Sequence, residues 1–302
     1  MGSKLGVIDL GSNTFHILIV NRNRDGSFEI LFKERAFVGL AEDGIKKLSD
    51  QAMERGLAAL VNFSASLKQY DISQYSVIGT SALRSASNSS VFCQLVKERL
   101  GLEIEIIDGK REAELIFKGV SKLMVSYDEP QIIMDVGGGS VEFILVENDE
   151  LIWSASYDVG VGVLHNHIIL SDPCTKEDID EINKFINQEL SSLEAIISNK
   201  PIGAIIGASG SFEVIQSMNG AEVSSNSMTE VRLGDFHSIS QKIISSTFAD
   251  RMKMDGLPKS RVKLTVVAMI LISRAIEIIK PKRLLVSPFA LKEGVLIELT
   301  TN

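Results

Sequence analysis

The sequence predicts an α/β protein built from two related units, residues 1–125 and residues 126–302. Short β-rich runs alternate with helical patterns along the chain. Val7–Ser12 and Ile133–Gly138 share one pattern, in which a strand carrying an aspartate runs into a glycine-containing turn. Because the pattern recurs after about the length of one domain, the simplest architecture is a doubled unit whose turns face a common cleft.

The first unit contains strands and helices that can be located from their apolar spacing. Leu5–Asp9 and Phe15–Val20 are apolar, and the turn residues Gly11–Asn13 between them predict a hairpin, to which Ser27–Lys33 adds a third strand. Ser49 is a suitable N-cap for the helical spacing that follows it. Further along, the sequence predicts strands at Tyr75–Gly79 and Glu103–Ile107, and helices at Val91–Leu100, closed by Gly101, and at Glu112–Leu123.

The second unit repeats this order after a predicted hinge at Ser126–Pro130. Thr175 followed by Asp178 resembles a capping box and predicts a helix start, and His165 and His167 are placed near another helix start. The remaining predictions are strands at Gln131–Asp135, Val141–Glu147, Leu151–Ser156, Ala204–Gly207 and Leu284–Ser287, and an apolar helix at Lys263–Ile279.

Composition narrows the classes of function. With 45% hydrophobic and 23% charged residues, the chain is typical of a folded globular protein, which excludes disordered and fibrous classes. The formal net charge of −8 opposes binding to nucleic acids. With two cysteines and four histidines, a metal site would depend on carboxylate and water oxygens, which favours a hard cation. Leu264–Ile272 is too short to span a bilayer and Met1–Gly6 is no signal peptide, so we expect a cytoplasmic protein with no membrane partner.

The glycine turn of the second unit has the chemistry of a phosphate site. Gly137, Gly138 and Gly139 let main-chain N–H groups converge on an anion without steric obstruction. The preceding carboxylate of Asp135 is expected to hold a divalent cation through water, and Glu142 supplies a second carboxylate. A plain tight hairpin is the alternative, although the second copy of the pattern makes it less attractive.

The turn of the first unit offers side chains as well as backbone. Asp9 precedes Gly11, and Ser12, Asn13 and Thr14 bring hydroxyl and amide groups that suit a phosphate or a metal-bound water. Asx-type capping of the turn explains Ser12 and Asn13 equally well. The positive charge must come from elsewhere, and we assign it to the arginine after the loop that follows a strand end, Arg84.

Glu112 is a candidate general base, because it lies at the start of a helix that follows a strand end and could deprotonate a water molecule. Glu114 offers the same group nearby, and a plain acid at a helix N-terminus explains either residue. The chemistry of the two side chains does not decide between them.

Taken in order, these motifs resemble the exopolyphosphatase / guanosine pentaphosphate phosphohydrolase family of the actin–Hsp70–sugar kinase superfamily. Six ordered stretches covering nearly the whole chain carry the resemblance: Ile8–Thr14; Gly79–Arg84 with Asn88; Asp108–Ala113; Asp135–Glu142; Gly207–Ser211; and Ser287 with Leu291–Gly294.

The resemblance implies two actin-like (ribonuclease H-like) domains, the second followed by a last helix that packs back on the first. It also implies Mg²⁺-dependent release of the terminal phosphate from inorganic polyphosphate or pppGpp, with Mn²⁺ as an alternative metal. It favours Glu112 as the catalytic base. It assigns the metal to Asp135 and Glu142, with Asp9 as a further candidate. It assigns phosphate or substrate binding to Ser12, Asn13, Thr14, Arg84, Gly137, Gly138, Gly139, Ser140, Ser209, Gly210 and Ser211.

Three positions depart from the family pattern. Arg111 stands where an acid is usual, Val163 where many members have arginine, and Lys263 where an acid is usual. These departures keep open a non-catalytic sensor of (p)ppGpp or polyphosphate, and a small-molecule kinase of the same superfamily is a weaker alternative. Homodimerisation is left open. The resemblance is to the short, two-domain members of the family, without the helical C-terminal domains of the long members. We therefore expect short polyphosphate or pppGpp to be preferred over long chains, with a few phosphates held by local cations that include Lys110, Arg111, Lys118 and Lys122.

Overall fold

The computed structural model describes residues 3–42, 44–125, 128–198, 200–220 and 227–301. Contacts divide the chain into two compact units. Unit 1 comprises the chain up to Gly119 together with the segment from Leu291 onward, and unit 2 is Val120–Ala290. The predicted hinge begins with Ser126 and Tyr127, which lie outside the described residues.

Unit 1 is a five-stranded mixed sheet with helices packed on it. The strand order is β3-β2-β1-β4-β5, with antiparallel β1–β2 and β2–β3 pairs and parallel β1–β4 and β4–β5 pairs. The strands are β1 (Ser3–Leu10), β2 (Thr14–Arg22), β3 (Phe28–Phe37), β4 (Gln74–Gly79) and β5 (Glu105–Ile106), and the helices are α1 (Asp50–Gln69), α2 (Ser81–Ser85), α3 (Ser89–Leu100), α4 (Gly109–Val120) and α12 (Leu291–Leu299).

Local sequence signals account for several ends of these elements. The Ser49 hydroxyl accepts a hydrogen bond from the Ala52 N–H at 3.3 Å, so it caps α1 as predicted. Gly101 adopts the left-handed conformation at φ 68° and closes α3, also as predicted. The predicted strand at Glu103–Ile107 is too long, because β5 pairs with β4 over only two residues at the edge of the sheet.

Unit 2 is a six-stranded mixed sheet in the order β10-β11-β9-β6-β7-β8. The strands are β6 (Gln131–Val136), β7 (Val141–Glu147), β8 (Glu150–Tyr157), β9 (Ala204–Ala208), β10 (Thr229–Val231) and β11 (Arg283–Val286). The helices are α5 (Val161–His167), α6 (Lys176–Glu189), α7 (Ser191–Ile197), α8 (Gly210–Met218), α9 (Leu233–Ile244), α10 (Phe248–Arg251) and α11 (Val262–Ile279), with a 3₁₀ turn at Lys259–Arg261.

The doubled unit predicted from the sequence is present in the sheet topology. In unit 2, β8-β7-β6-β9-β11 reproduces the order and the strand directions of β3-β2-β1-β4-β5, and β10 is added at the edge. Each unit has its own apolar core. In both units the parallel strands end beside the turn of the first hairpin, so loops from different parts of the chain meet at that edge.

Two further local predictions have opposite outcomes. Thr175 and Asp178 form a reciprocal capping box at the start of α6, as predicted. The placement of His165 and His167 at a helix start is wrong, because α5 begins after Gly160 and both histidines lie in its last turn. Among the described residues, no helix combines the length and the apolar character required to cross a bilayer.

Candidate active site

The first turn of unit 1 is held by the chain that follows β3. The Ser12 carbonyl accepts from the Ala41 N–H at 3.0 Å, and the Asn13 carbonyl accepts from the Val38 and Gly39 N–H groups at 2.9 Å each. These bonds fix the carbonyl side of the turn. The Ser12 hydroxyl is buried and has no hydrogen-bond partner among the described residues, which is uncommon for a buried polar group. The turn is therefore preorganised, and the unpaired hydroxyl suits a ligand oxygen.

Asp9 lies on β1 just before this turn, opposite His16 in the register of the hairpin. Burial raises the pKa of its carboxyl to about 6, and the charge of Lys292 partly offsets this effect while that of Glu293 adds to it. Lys292 and Glu293 belong to α12, so the last helix of the chain contributes to the electrostatics at the end of β1.

Glu112 is placed by the first turn of α4. The Asp108 carboxylate accepts from the Arg111 N–H at 2.7 Å, and the Asp108 carbonyl accepts from the Glu112 N–H at 2.9 Å, so the helix starts sharply at Gly109. The Glu112 side chain is buried, with 9% of its surface exposed. Glu114, the alternative left open by the chemistry, has a 43% exposed side chain that pairs with Arg111. Burial thus distinguishes the two acids.

The structure brings two predicted site residues of unit 1 into direct contact. Arg84 Nη1 donates to Glu112 Oε2 at 2.9 Å and to the Ile107 carbonyl at 3.0 Å. The second bond ties the guanidinium to the loop just before α4, so both partners of the ion pair are oriented by the backbone. A buried carboxylate held in this way has few rotamers to lose and is suited to orient a water molecule.

The glycine turn of unit 2 is supported by residues 160–162, which are not among the predicted site residues. The carbonyls of Gly137, Gly138 and Gly139 accept from the N–H groups at positions 161, 162 and 160, at 3.0, 2.8 and 3.2 Å. A Cβ at Gly160 would lie 2.5 Å from the backbone of Gly138 and Gly139, so only glycine permits this approach. The Gly137 N–H donates to the Ser140 carbonyl at 3.0 Å and closes the turn, so the N–H groups of Gly138, Gly139 and Ser140 are the candidates for binding an anion.

Asp135 and Glu142 are brought together as predicted, because they are directly opposite in the β6–β7 register. Both are buried, and Glu142 Oε1 accepts from the Ser140 and Ser156 hydroxyls at 2.7 Å each. In unit 1 the matching register position opposite Asp9 is occupied by His16. The paired carboxylates therefore occur only at the turn of unit 2.

Asp135 and Glu142 suit a magnesium ion that keeps several of its water ligands. The part of the chain that the structure describes has no group of three or more acidic, histidine or cysteine side chains able to hold a metal. Mg²⁺ keeps several waters and is commonly bound through one or two carboxylates together with substrate phosphates. Asp135 and Glu142 offer that all-oxygen donor set, and their role as metal ligands stays a prediction.

The third loop, at the end of β9, carries backbone strain. Ser209 has φ +77°, which is rare for a residue with a side chain. Its hydroxyl donates to the Val136 carbonyl at 3.0 Å and accepts from the Val136 N–H at 3.2 Å. The phosphate-binding role given to Ser209 and Gly210 stays a prediction, as does that of the buried Ser211. Arg261 also lies at this loop, although the sequence did not indicate it. Its guanidinium occupies the space that a Cβ at position 210 would need. No spacing in the sequence links these two positions.

Comparison with known proteins decides the family. The model of the Ppx/GppA phosphatase family matches residues 19–302. The chain belongs to the Ppx/GppA phosphatase family. Among solved structures, this Ppx/GppA protein is similar to an exopolyphosphatase from Cytophaga hutchinsonii, at 33% identity and TM-score 0.94 over 99% of this chain and 98% of that one. A Ppx/GppA family member from Aquifex aeolicus is 21% identical, with TM-score 0.82 over 99% and 98% of the two chains.

These matches confirm the resemblance to the family that the six motifs indicated, and the sheets of the two units confirm the α/β fold class. Membership of the Ppx/GppA family supports a phosphohydrolase activity. The individual roles given to Glu112, Arg84, Asp135 and the other site residues stay predictions.

Proposed function

We propose that the protein is a Mg²⁺-dependent phosphohydrolase that releases the terminal phosphate from short inorganic polyphosphate or from pppGpp by in-line attack of water. The observation that carries this proposal is the buried Glu112 carboxylate held by Arg84 at 2.9 Å. The similarity to the exopolyphosphatase from Cytophaga hutchinsonii supports the choice of a phosphate anhydride as substrate.

In unit 1, Glu112 orients the attacking water and accepts its proton, while Arg84 fixes the carboxylate and contributes positive charge. Ser12, Asn13 and Thr14 contribute hydroxyl and amide groups at the turn after β1. In unit 2, the N–H groups of Gly138, Gly139 and Ser140 bind phosphate oxygens. A bound Mg²⁺ held near Asp135 and Glu142 would neutralise charge that develops on the phosphoryl oxygens.

The charge of the molecule supports a preference for short substrates. The net charge is −8, and of the cations expected to hold extra phosphates, Arg111 and Lys118 are both paired with Glu298. These two side chains are therefore poorly suited to attract a long polyanion, and each further phosphate adds repulsion.

The test is phosphate release from pppGpp, short polyphosphate and long polyphosphate, measured side by side with wild type, Glu112→Gln and Glu114→Gln. We expect Glu112→Gln to lower kcat by ~10²–10⁴-fold with substrate binding nearly intact, since the amide keeps shape but accepts no proton. Glu114→Gln is the matched control on the same helix and should stay within a few-fold of wild type. A Glu112→Gln enzyme of near-normal rate would refute the assignment, and tight binding by wild type without release over hours, at several Mg²⁺ concentrations, would instead indicate a sensor.

A further inference from the structure

One acid of the last helix bridges the two ends of the helix that carries Glu112. Arg111 Nη2 bonds Glu298 Oε1, and Lys118 Nζ donates to Glu298 Oε2 at 2.8 Å. Arg111 and Lys118 are about two helical turns apart, so they lie on one face of α4. Burial by itself would raise the pKa of Glu298, but the bonds and charges of Lys118 and Arg111 hold that pKa below its ordinary value. Glu298 is therefore ionised, and each of its two carboxylate oxygens binds one cation of α4.

The backbones of α4 and α12 also touch between these two contacts. A Cβ at Gly294 would lie 1.8 Å from the Leu115 carbonyl oxygen, so α12 approaches the middle of α4 directly. At its far end, α12 is tied to β4 by a bond from Gln74 Nε2 to the Leu299 carbonyl at 2.8 Å. Glu298 is thus held relative to the sheet and can transmit that position to α4.

Apolar packing holds the inner face of α4, where Ala113, Leu115 and Ile116 are buried, but it is incomplete beside Glu298. A pocket of about 140 Å³ lies there, lined in part by Ser76, Ile78, Leu115 and Val295 and by the Arg111 and Glu298 side chains. Side chains that line this pocket lack a packed neighbour on that face. The ionic contacts of Glu298 therefore add directional restraints on the rotation and axial position of α4 at this point.

We propose that Glu298 is a positioning residue for Glu112, acting through Arg111 and Lys118; this inference rests on the proposed catalytic role of Glu112. Arg111 directly precedes Glu112 in the first turn of α4, so a rotation of the helix that relaxes Arg111 also changes the position of the Glu112 carboxylate relative to Arg84. An arginine at position 111 suits this arrangement, since an acid there would repel Glu298.

The experiment measures phosphate release from short polyphosphate and amide hydrogen exchange in wild type, Glu298→Ala, Glu298→Gln and Arg111→Ala. We expect Glu298→Ala to lower kcat by ~10-fold or more without raising KM, because a small misplacement of a catalytic group is costly. Exchange should become faster in the first turn of α4. If Glu298→Ala folds poorly, Glu298→Gln takes its place, because it removes the charge and keeps the shape of the side chain. Glu103→Ala is the control, since it removes the exposed Lys97–Glu103 pair of the same unit and should change neither quantity.

Two combined variants separate positioning from general destabilisation. If Glu298 acts through Arg111, the losses of kcat in Glu298→Ala and Arg111→Ala should be strongly non-additive in the double variant. In a Glu112→Gln background, Glu298→Ala should have no further effect on the residual rate, whereas a merely structural role would lower that rate as well.

The outcomes are distinguishable. Unchanged exchange in α4, or an unchanged kcat in Glu298→Ala beside an inactive Glu112→Gln, would overturn the positioning role and leave the proposed function intact. A Glu112→Gln enzyme as active as wild type would overturn the proposed function, and the positioning role with it.

Discussion

Replacing Asp9 by asparagine should stabilise unit 1 at neutral pH and leave its stability almost unchanged near pH 4. Burial raises the pKa of the Asp9 carboxyl from 3.8 to about 6 in the folded protein. Between these values the folded state binds more protons at Asp9 than the unfolded state does. The free energy of unfolding of the wild type therefore falls as the pH rises from about 4 to about 6, and the loss is complete above that range.

The magnitude follows from the same pKa values. At about 1.4 kcal/mol for each pKa unit, the cost of ionising Asp9 in the folded state is at most about 3 kcal/mol at pH 7. Asparagine does not titrate, so Asp9→Asn avoids this cost. With a denaturant dependence of about 1–3 kcal/mol per M of urea, the urea midpoint of unit 1 should rise by up to about 1–3 M at pH 7.

The assay is urea unfolding in EDTA at pH 4.5 and pH 7.0, followed by far-ultraviolet circular dichroism and by the fluorescence of the single tryptophan, Trp153. Trp153 lies in β8 of unit 2, so a transition seen by dichroism but not by fluorescence reports unit 1. Glu54→Gln, which neutralises an exposed acid of the same unit, is the control and should not change the midpoint. An Asp9→Asn effect of equal size at both pH values, or a destabilisation at pH 7, would refute the reasoning.

The remaining predictions concern the second turn and the substrate. Asp135→Asn should raise the half-saturating Mg²⁺ concentration by ~10–100-fold as well as lower the rate of phosphate release; a lower rate with unaltered Mg²⁺ dependence would place the metal elsewhere, with Asp9 as the next candidate. Gly160→Ala should destabilise unit 2 by about 1–3 kcal/mol in urea unfolding, because its Cβ meets backbone atoms. Gly234→Ala, which has open space around it, should be neutral or stabilising. For wild type, kcat/KM should favour short over long polyphosphate at low salt, with the difference shrinking as salt rises; an efficiency that climbs steadily with chain length would contradict this.

The sequence by itself determined the elements whose signals are local. The caps at Ser49 and Thr175, the closing Gly101, and the two hairpins with their aspartates could be read because each depends on hydrogen bonds between residues a few positions apart. The repeated motif also predicted the doubled topology, since the same strand–turn pattern has the same solution in both halves. By contrast, α8 was not predicted, because the small residues at its start are equally typical of a loop.

The tertiary structure alone decided which distant residues meet. Burial and the ion pair with Arg84 distinguish Glu112 from Glu114, and neighbouring acids in a sequence do not reveal such a difference. The approach of Gly160 to the glycine turn, and of Arg261 to Gly210, depends on how strands and helices pack, and no local pattern encodes it. The bridge from Glu298 to α4 joins the two segments of unit 1, which are far apart in the sequence. Such contacts follow from long-range packing, whose energy depends on three-dimensional shape rather than on the spacing of residues along the sequence.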